Sequence, residues 1–471
     1  MSSNDYTETK LPLWAQAALS VGAGLLLTLG YALHPLWWAP WLAPALLIPA
    51  TGGSWGRAWL MGALAGAVSI ISIIGYYLDF SAITAVIVLI LRVVAWGGAA
   101  TLTRSAWRRL PAGVAVFVLP VFVAALEEIT LTVSVHGAVG SLAYSQMPLL
   151  PVIQAAAWGG TPAVTFLVLL PGSLLGGLLL RRPGTRPALV AAALAVAVLG
   201  GAGAYAAVRL NTPTPAQKLP VALVASDRFP GIPRDWQPVW TVYAPMVARA
   251  ATPGALVVLP EKIALLDQPA ADAAAADVRA AAMRTQATLV VGLEVKAGGI
   301  YRNRALVARP DGTLFWYDKQ RLVPVFEDRD VPGHAPLLFG AGPIALGTAI
   351  CKDMHIPSIG REYAGKVAVL AVPAWDFGQD GWMGARMTLT RGIEGGYAIA
   401  RSARNGLVGA YDGYGRVLTE TPSGTQTFAT AQLPAERIDT PYTAVGEAFG
   451  WLCVTLSLAA IAWLRLRRPA P

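Results

Sequence analysis

The sequence predicts a protein in two parts, a multi-span α-helical membrane domain and an α/β domain. Three observations lead there. Of its 471 residues, 55% are hydrophobic and only 13% are charged, far from the balance of a soluble chain. Apolar runs of roughly 20 residues, enough to span a bilayer, crowd the first 210 positions and recur once near the C-terminus. Between about Gln217 and Ala435, short apolar runs alternate with alanine-rich or amphipathic stretches, as strands alternate with helices in an α/β domain.

The long runs lie at about 13–33, 58–78, 82–102, 112–132, 160–180 and 187–208, with the last near 446–464. A shorter run, Trp41 to Ala50, is flanked by prolines and reads as an extra span. The N-terminal membrane domain is thus 1–210 with about seven spans, and a single helix at 445–465 closes the chain. The first run follows a polar start ending at Lys10; its apolar core is too long for a signal peptide, so it reads as an anchor.

Cationic loops stay in the cytoplasm. Alternate loops carry Lys10, Arg57, then Arg104, Arg108 and Arg109, then Arg181, Arg182 and Arg186, whereas HPLWWAP, YYLDFS and the stretch from His136 to Trp158 carry neither Lys nor Arg. This asymmetry places the 217–436 region outside the cytoplasm and returns Arg465, Arg467 and Arg468 to the inside. The net charge of +9 is then largely topological and calls for no nucleic-acid partner.

In the 217–436 region, strands are predicted at LPVALVAS, GALVVLPE, ATLVVGLEV, RALVA, IALGTAIC and VAVLAVP. Helices are predicted in DWQPVWTVYAPMVARA, ADAAAADVRAAAMRT and WMGARMTLTRGIEGGYA. The Asn-Gly and Asp-Gly pairs of ARNGLVGAYDGYGRV mark turns between late strands.

Functional groups in such sheets gather where strands end. Glu261 follows ALVVLP, Cys351 follows ALGTAI, and Lys319 lies in WYDKQRLVP after the turn at Pro310, Asp311 and Gly312. A cysteine attacks as its thiolate and needs a base or a nearby positive charge. A carboxylate can take the thiol proton. An ammonium, or the backbone N–H of Lys352 at a helix start, can stabilise an oxyanion. Glu, Lys and Cys together therefore make an acyl-transfer site without histidine. The residues alone leave open a Cys–His pair using His355 or His334, and a free cysteine at a strand end is often an inert core residue.

The segments VVLPEK, YDKQRLVPVFE and ICKDMHIPSIGREYA, in that order, resemble the three catalytic stretches of the carbon–nitrogen hydrolase (nitrilase) superfamily. That resemblance implies an αββα sandwich with Glu261 as base, Lys319 as oxyanion stabiliser, Cys351 as nucleophile and Glu327 as a second glutamate orienting the lysine. Across essentially the whole chain, the helical N-terminal half, the nitrilase-like domain and the final span resemble the apolipoprotein N-acyltransferase family. GSLAYSQMPLLPVIQAAAWGGTPAVTFLVLL and YRNRALV resemble stretches of that family too.

The resemblance implies a phospholipid acyl donor, a cysteine thioester, and a diacylglyceryl-cysteine lipoprotein as acceptor. It also implies a multi-pass location in a bacterial inner membrane and no cofactor or metal. Lys352 and Asp353 depart from the family, which usually has an aromatic residue and a glutamate there; Cys-x-Asp is more like the soluble amidases. The alternative function is a membrane-anchored amidase or nitrilase-type hydrolase using the same three residues.

Cys351 and Cys453 should lie at different depths, which speaks against a disulfide between them. The four histidines form no ligand-spaced pair. Arg391 and Glu394, at i and i+3, read as a helical ion pair. Trp37, Trp38 and Trp41 read as an interfacial belt. Arg92, inside a span, reads as a structural partner of Glu127 or Glu128 or as a contact for a lipid headgroup.

Overall fold

The computed structural model describes residues 7–8, 11–182, 184–213 and 215–466; Lys10, Arg467 and Arg468, invoked for topology, lie outside them. The chain divides into two compact units. One is helical and comprises the residues up to Val133, Gly140–Asn211 and those from Val445 onward; the other comprises Ser134–Val139 and Thr212–Ala444.

In the helical unit, six helices among the described residues are long and apolar enough to cross a membrane: Leu13–Tyr31, Ala82–Arg109, Ala112–Val133, Ala156–Leu180, Thr185–Leu210 and Ala448–Leu466. The chain is a multi-pass membrane protein. The proline-flanked run forms helix Ala39–Ala50. Twelve residues make about 18 Å of helix, short of the roughly 30 Å hydrocarbon core.

The single span expected over 58–78 is instead two helices, Trp55–Val68 and Ile74–Phe80. Ser72 explains the break: its Oγ donates to the Thr28 carbonyl at 2.6 Å and its N–H to Thr28 Oγ1 at 3.0 Å, so bonds to a neighbouring helix replace the intrahelical ladder. Arg92 stacks its guanidinium on the Tyr31 ring, 3.3 Å from the centroid, and donates to the Gly140 carbonyl at 3.3 Å. Glu127 accepts from Ser141 and Thr165, at 2.6 Å each. Among the described residues, Arg92 makes its contacts with Tyr31 and Gly140 in place of the ion pair with Glu127 or Glu128.

In the α/β unit, strand β1 (Lys218–Ala225) is followed by helix α1 (Trp236–Ala250), β2 (Leu256–Val258), β3 (Leu265–Asp267) and α2 (Gln268–Thr285). Next come β4 (Thr288–Ala297), β5 (Ile300–Ala308), β6 (Leu314–Asp318), β7 (Leu337–Ala341) and β8 (Ile344–Thr348). The second half holds α3 (Pro357–Tyr363), β9 (Val369–Trp375), α4 (Gly381–Gly395), β10 (Ala398–Arg404), β11 (Leu407–Tyr411), β12 (Val417–Pro422) and β13 (Thr427–Pro434).

One sheet runs β13-β1-β2-β4-β5-β6, with β3 pairing β4; the other runs β12-β11-β10-β9-β8-β7. Side chains such as Val221, Leu223, Leu346, Val369, Ala371 and Ala400 share one apolar core between the sheets. The opposite face of the first sheet packs on α1 and α2 through Val239, Tyr243, Ala274 and Val278. This is the nitrilase-like αββα sandwich. Strands β3, β6, β7 and β13 were not anticipated, being short or polar at alternate positions. Ser134–Val139 joins this unit because the Ala138 N–H donates to the His355 carbonyl at 2.8 Å.

Candidate active site

Glu261 lies three residues beyond β2, and its N–H donates to the Ala374 carbonyl on β9 at 3.2 Å, tying the end of one sheet to the other. A Cβ on Gly292 of β4 would come 2.5 Å from the Glu261 Cα, so the absence of a side chain there lets this elbow seat. Lys319 follows β6 directly, its N–H donating to the Asn303 carbonyl on β5 at 2.9 Å. Cys351 opens a 3₁₀ turn, Cys351–His355, at the end of β8. Its φ of +44° is rare for a non-glycine residue and marks a strained elbow.

Two of these three side chains meet directly. Lys319 Nζ donates to Glu261 Oε1 at 2.7 Å and to Glu327 Oε2 at 2.9 Å. Asn303 Nδ2 bridges the same two carboxylates, donating to Glu261 Oε1 at 2.5 Å and Glu327 Oε1 at 2.7 Å. Lys262 Nζ stands 3.0 Å from Glu327 Oε1 and 2.9 Å from Asp330 Oδ2. All of these residues are buried. The Cys351 thiol donates to the Trp375 carbonyl at 3.6 Å and lies in the fields of Glu261 and Lys319.

Burial alone would lower the Lys319 pKa, but Glu261 and then Glu327 outweigh it and hold the ammonium well above its usual range. Glu327 is pulled down to about 2: burial works against ionisation, and Lys319 and Lys262 overcome it. Cys351 goes the other way, raised well above a free thiol by burial first and then by Glu261, with Lys319 opposing. The resting sulfur is therefore a thiol, and a thiol so placed could act as a nucleophile only by passing its proton to a neighbouring base.

Asp353, a departure noted in the sequence, is fully buried. Its Oδ1 accepts the N–H groups of Gln320 (3.0 Å) and Arg321 (2.7 Å), and its Oδ2 accepts from Tyr317 Oη (2.7 Å) and the Ile350 N–H (3.0 Å). It thus fastens the loop after Lys319 to the turn bearing Cys351. Burial raises its pKa to about 6 against those bonds.

His355 is pushed well below the usual histidine range by burial and then by Lys352, so it is neutral. Arg391 and Glu394 pair at 2.8 Å inside the fold, away from solvent. Cys351 and Cys453 are both free thiols. Sequence reasoning missed Lys262, Asn303 and Asp330. Lys262 follows Glu261 in VVLPEK and Asn303 sits in YRNRALV, but their roles depend on contacts 68 and 42 residues away in the chain.

Residues 23–174 match the model of the apolipoprotein N-acyltransferase N-terminal domain, and residues 221–441 match that of the carbon–nitrogen hydrolases. The chain belongs to the apolipoprotein N-acyltransferase branch of the carbon–nitrogen hydrolase superfamily. It is an enzyme of the N-acyltransferase type. This acyltransferase chain is 26% identical over 373 residues to the apolipoprotein N-acyltransferase of Geobacter metallireducens, covering 70% of each. Among solved structures it is similar to XC1258 from Xanthomonas campestris, a CN-hydrolase superfamily protein (19% identity, 51% of this chain and 97% of that one, TM-score 0.40). It is also similar to an amidase from Nesterenkonia sp. (22% identity, 46% and 91%, TM-score 0.40). Within the branch it carries Lys352 and Asp353 after the cysteine, and both side chains bond to protein groups of the Lys319 loop.

Proposed function

We propose that this chain transfers an acyl group from a phospholipid, through a thioester on Cys351, to the N-terminal α-amine of a diacylglyceryl-cysteine lipoprotein. The observation that carries the reading is one buried ammonium, Lys319, shared by Glu261 and Glu327 with the Cys351 thiol in its field. The same chain carries the apolar helices matched to the acyltransferase N-terminal domain.

In the first step Glu261 takes the thiol proton while sulfur attacks the ester carbonyl. Lys319 and the Lys352 N–H stabilise the tetrahedral oxyanion. Collapse breaks the C–O bond, and the proton returns from Glu261 to the departing lysophospholipid. In the second step the neutral α-amine attacks the thioester and Glu261 accepts its proton; the intermediate collapses by breaking the C–S bond as Glu261 passes that proton to the sulfur. Glu327 does not touch the reacting atoms; it orients Lys319.

Exposed apolar side chains support a lipid donor. Val325 (81% exposed) and Phe326 (56%) sit on the loop holding Glu327, and Phe377 (45%) sits two residues beyond Trp375. The Phe326 and Phe377 rings lie 5.0 Å apart. Such a patch on an enzyme surface marks an interaction site. Working on lipids, the α/β unit belongs on the outer face of a bacterial inner membrane, in keeping with the loop charges.

The test is intact mass spectrometry of the purified protein after incubation with phospholipid. An acyl adduct absent from C351A and discharged by a diacylated lipopeptide supports the proposal. Turnover of a small amide with no lipid-derived adduct supports the hydrolase alternative and overturns it.

A further inference from the structure

Lys352 takes part in the proposed chemistry only through its backbone N–H, yet its side chain is buried beside the nucleophile. Lys352 Nζ donates to the Leu322 carbonyl at 2.9 Å. That bond completes a continuous set of restraints on the loop between Lys319 and Glu327. The Lys319 N–H is held by the Asn303 carbonyl, the Gln320 and Arg321 N–H groups by Asp353, the Leu322 carbonyl by Lys352, and the Val323 N–H by Glu327 Oε2 at 2.7 Å. Two consecutive side chains of the nucleophile turn thus grip this loop with opposite polarity, Lys352 donating and Asp353 accepting.

An ammonium in so dry a place is costly compared with an apolar side chain of similar size. Its position spans the two segments whose spacing sets the distance from Lys319 to Cys351. A charged donor holds a carbonyl more strongly than a neutral amine does. We propose that Lys352 is a positioning residue whose charged ammonium clamps the Leu322 carbonyl, keeping the Lys319–Glu327 loop in register with Cys351, and that deprotonation loosens the clamp.

The charged and titratable groups facing it are Lys319, Arg321 and Glu327 from the loop, Cys351 and His355 from its own turn, and His136 from Ser134–Val139. Burial, then Lys319, lowers the Lys352 pKa to about 8, with Glu327 and Cys351 opposing. Lys319 keeps its charge and Cys351 its proton through that range, because both are raised well above their ordinary values. Glu327, at about 2, stays ionised. His136 and His355, lowered by burial and then by Lys352, stay neutral.

The inference rests on Cys351 being the acylated nucleophile. The experiment follows the rate of Cys351 acylation by phospholipid about one unit either side of pH 8 in wild type, K352M and K352R. Wild type should slow on the alkaline side with its midpoint near pH 8. K352M should be about tenfold to a hundredfold slower, as when a reacting group is misplaced by about 1 Å, with the loss in kcat rather than KM. Neither variant should show the alkaline midpoint, since methionine has no charge to lose and arginine keeps its own.

Persistence of that midpoint in either variant, or a K352M profile equal to wild type, would overturn the inference; K352R decides it alone if K352M does not fold. Failure of wild type to form any acyl-thioester would instead count against the functional reading itself.

Discussion

Lys319 Nζ lies 2.9 Å from Glu327 Oε2, a carboxylate eight residues further along the chain that also accepts the Val323 N–H. Glu327 therefore fixes both the ammonium and the loop carrying it. E327A should leave Lys319 and Lys262 each short of a buried partner, a loss worth about 3–5 kcal/mol of stability. Cys351 acylation should slow by about a hundredfold. Denaturant unfolding and the acylation rate check the two effects separately, and wild-type values for both would refute the assigned role.

The same pair sets an acid limit. The folded pKa of Glu327, about 2, is below the roughly 4.3 of an unfolded glutamate, so its stabilisation is complete above that unfolded value and is lost as pH falls towards 2. The unfolding midpoint of E327Q should accordingly vary less with pH between about 4.5 and 2 than that of wild type. Parallel curves would contradict this.

Asp353 should behave in the opposite sense. Its folded pKa of about 6 lies above the unfolded carboxylate value of about 3.9, so protonation as pH falls through 6 favours the fold while weakening its hold on the Gln320 and Arg321 N–H groups. Cys351 acylation should therefore drop below about pH 6 with no matching loss of stability. Asp376, bonded to Arg401, titrates near 6 as well. D353N separates the two, because it should be slow at every pH and lack the Asp353 limb.

G292A tests the seat of Glu261. The added methyl would press on the backbone of Pro260 and Glu261, at 2.5 Å from each nearest atom, where no flexible side chain can yield. The cost should be about 1–3 kcal/mol, with a fall in acylation larger than that of an alanine placed at exposed Gly231, which has open space around it and no left-handed backbone. Equal activity in the two variants would show that the elbow tolerates displacement.

Much of this was legible in one dimension. Runs of apolar residues marked the spans, since a bilayer demands length and composition whatever the neighbours. Glu261 and Cys351 stood at strand ends, Lys319 followed the Pro310-Asp311-Gly312 turn, and Asn405-Gly406 and Asp412-Gly413 sat between the last strands, as their turn chemistry requires. The break at Ser69–Ile73 was invisible, because it is made by Thr28 on another helix.

Amino-acid order by itself determined that an acid and a thiol would each end an apolar strand, with an amine after a turn between them, in a chain built for a membrane. Only the tertiary structure decided that Asn303 and Lys262 share their carboxylates and that Lys352 and Asp353 brace the loop between them. The register of β4 against β5 sets Glu294 opposite Asn303, and the stacking of two sheets brings the β2 and β9 ends together. Those pairings are set by the packing of distant segments, and no local propensity encodes them.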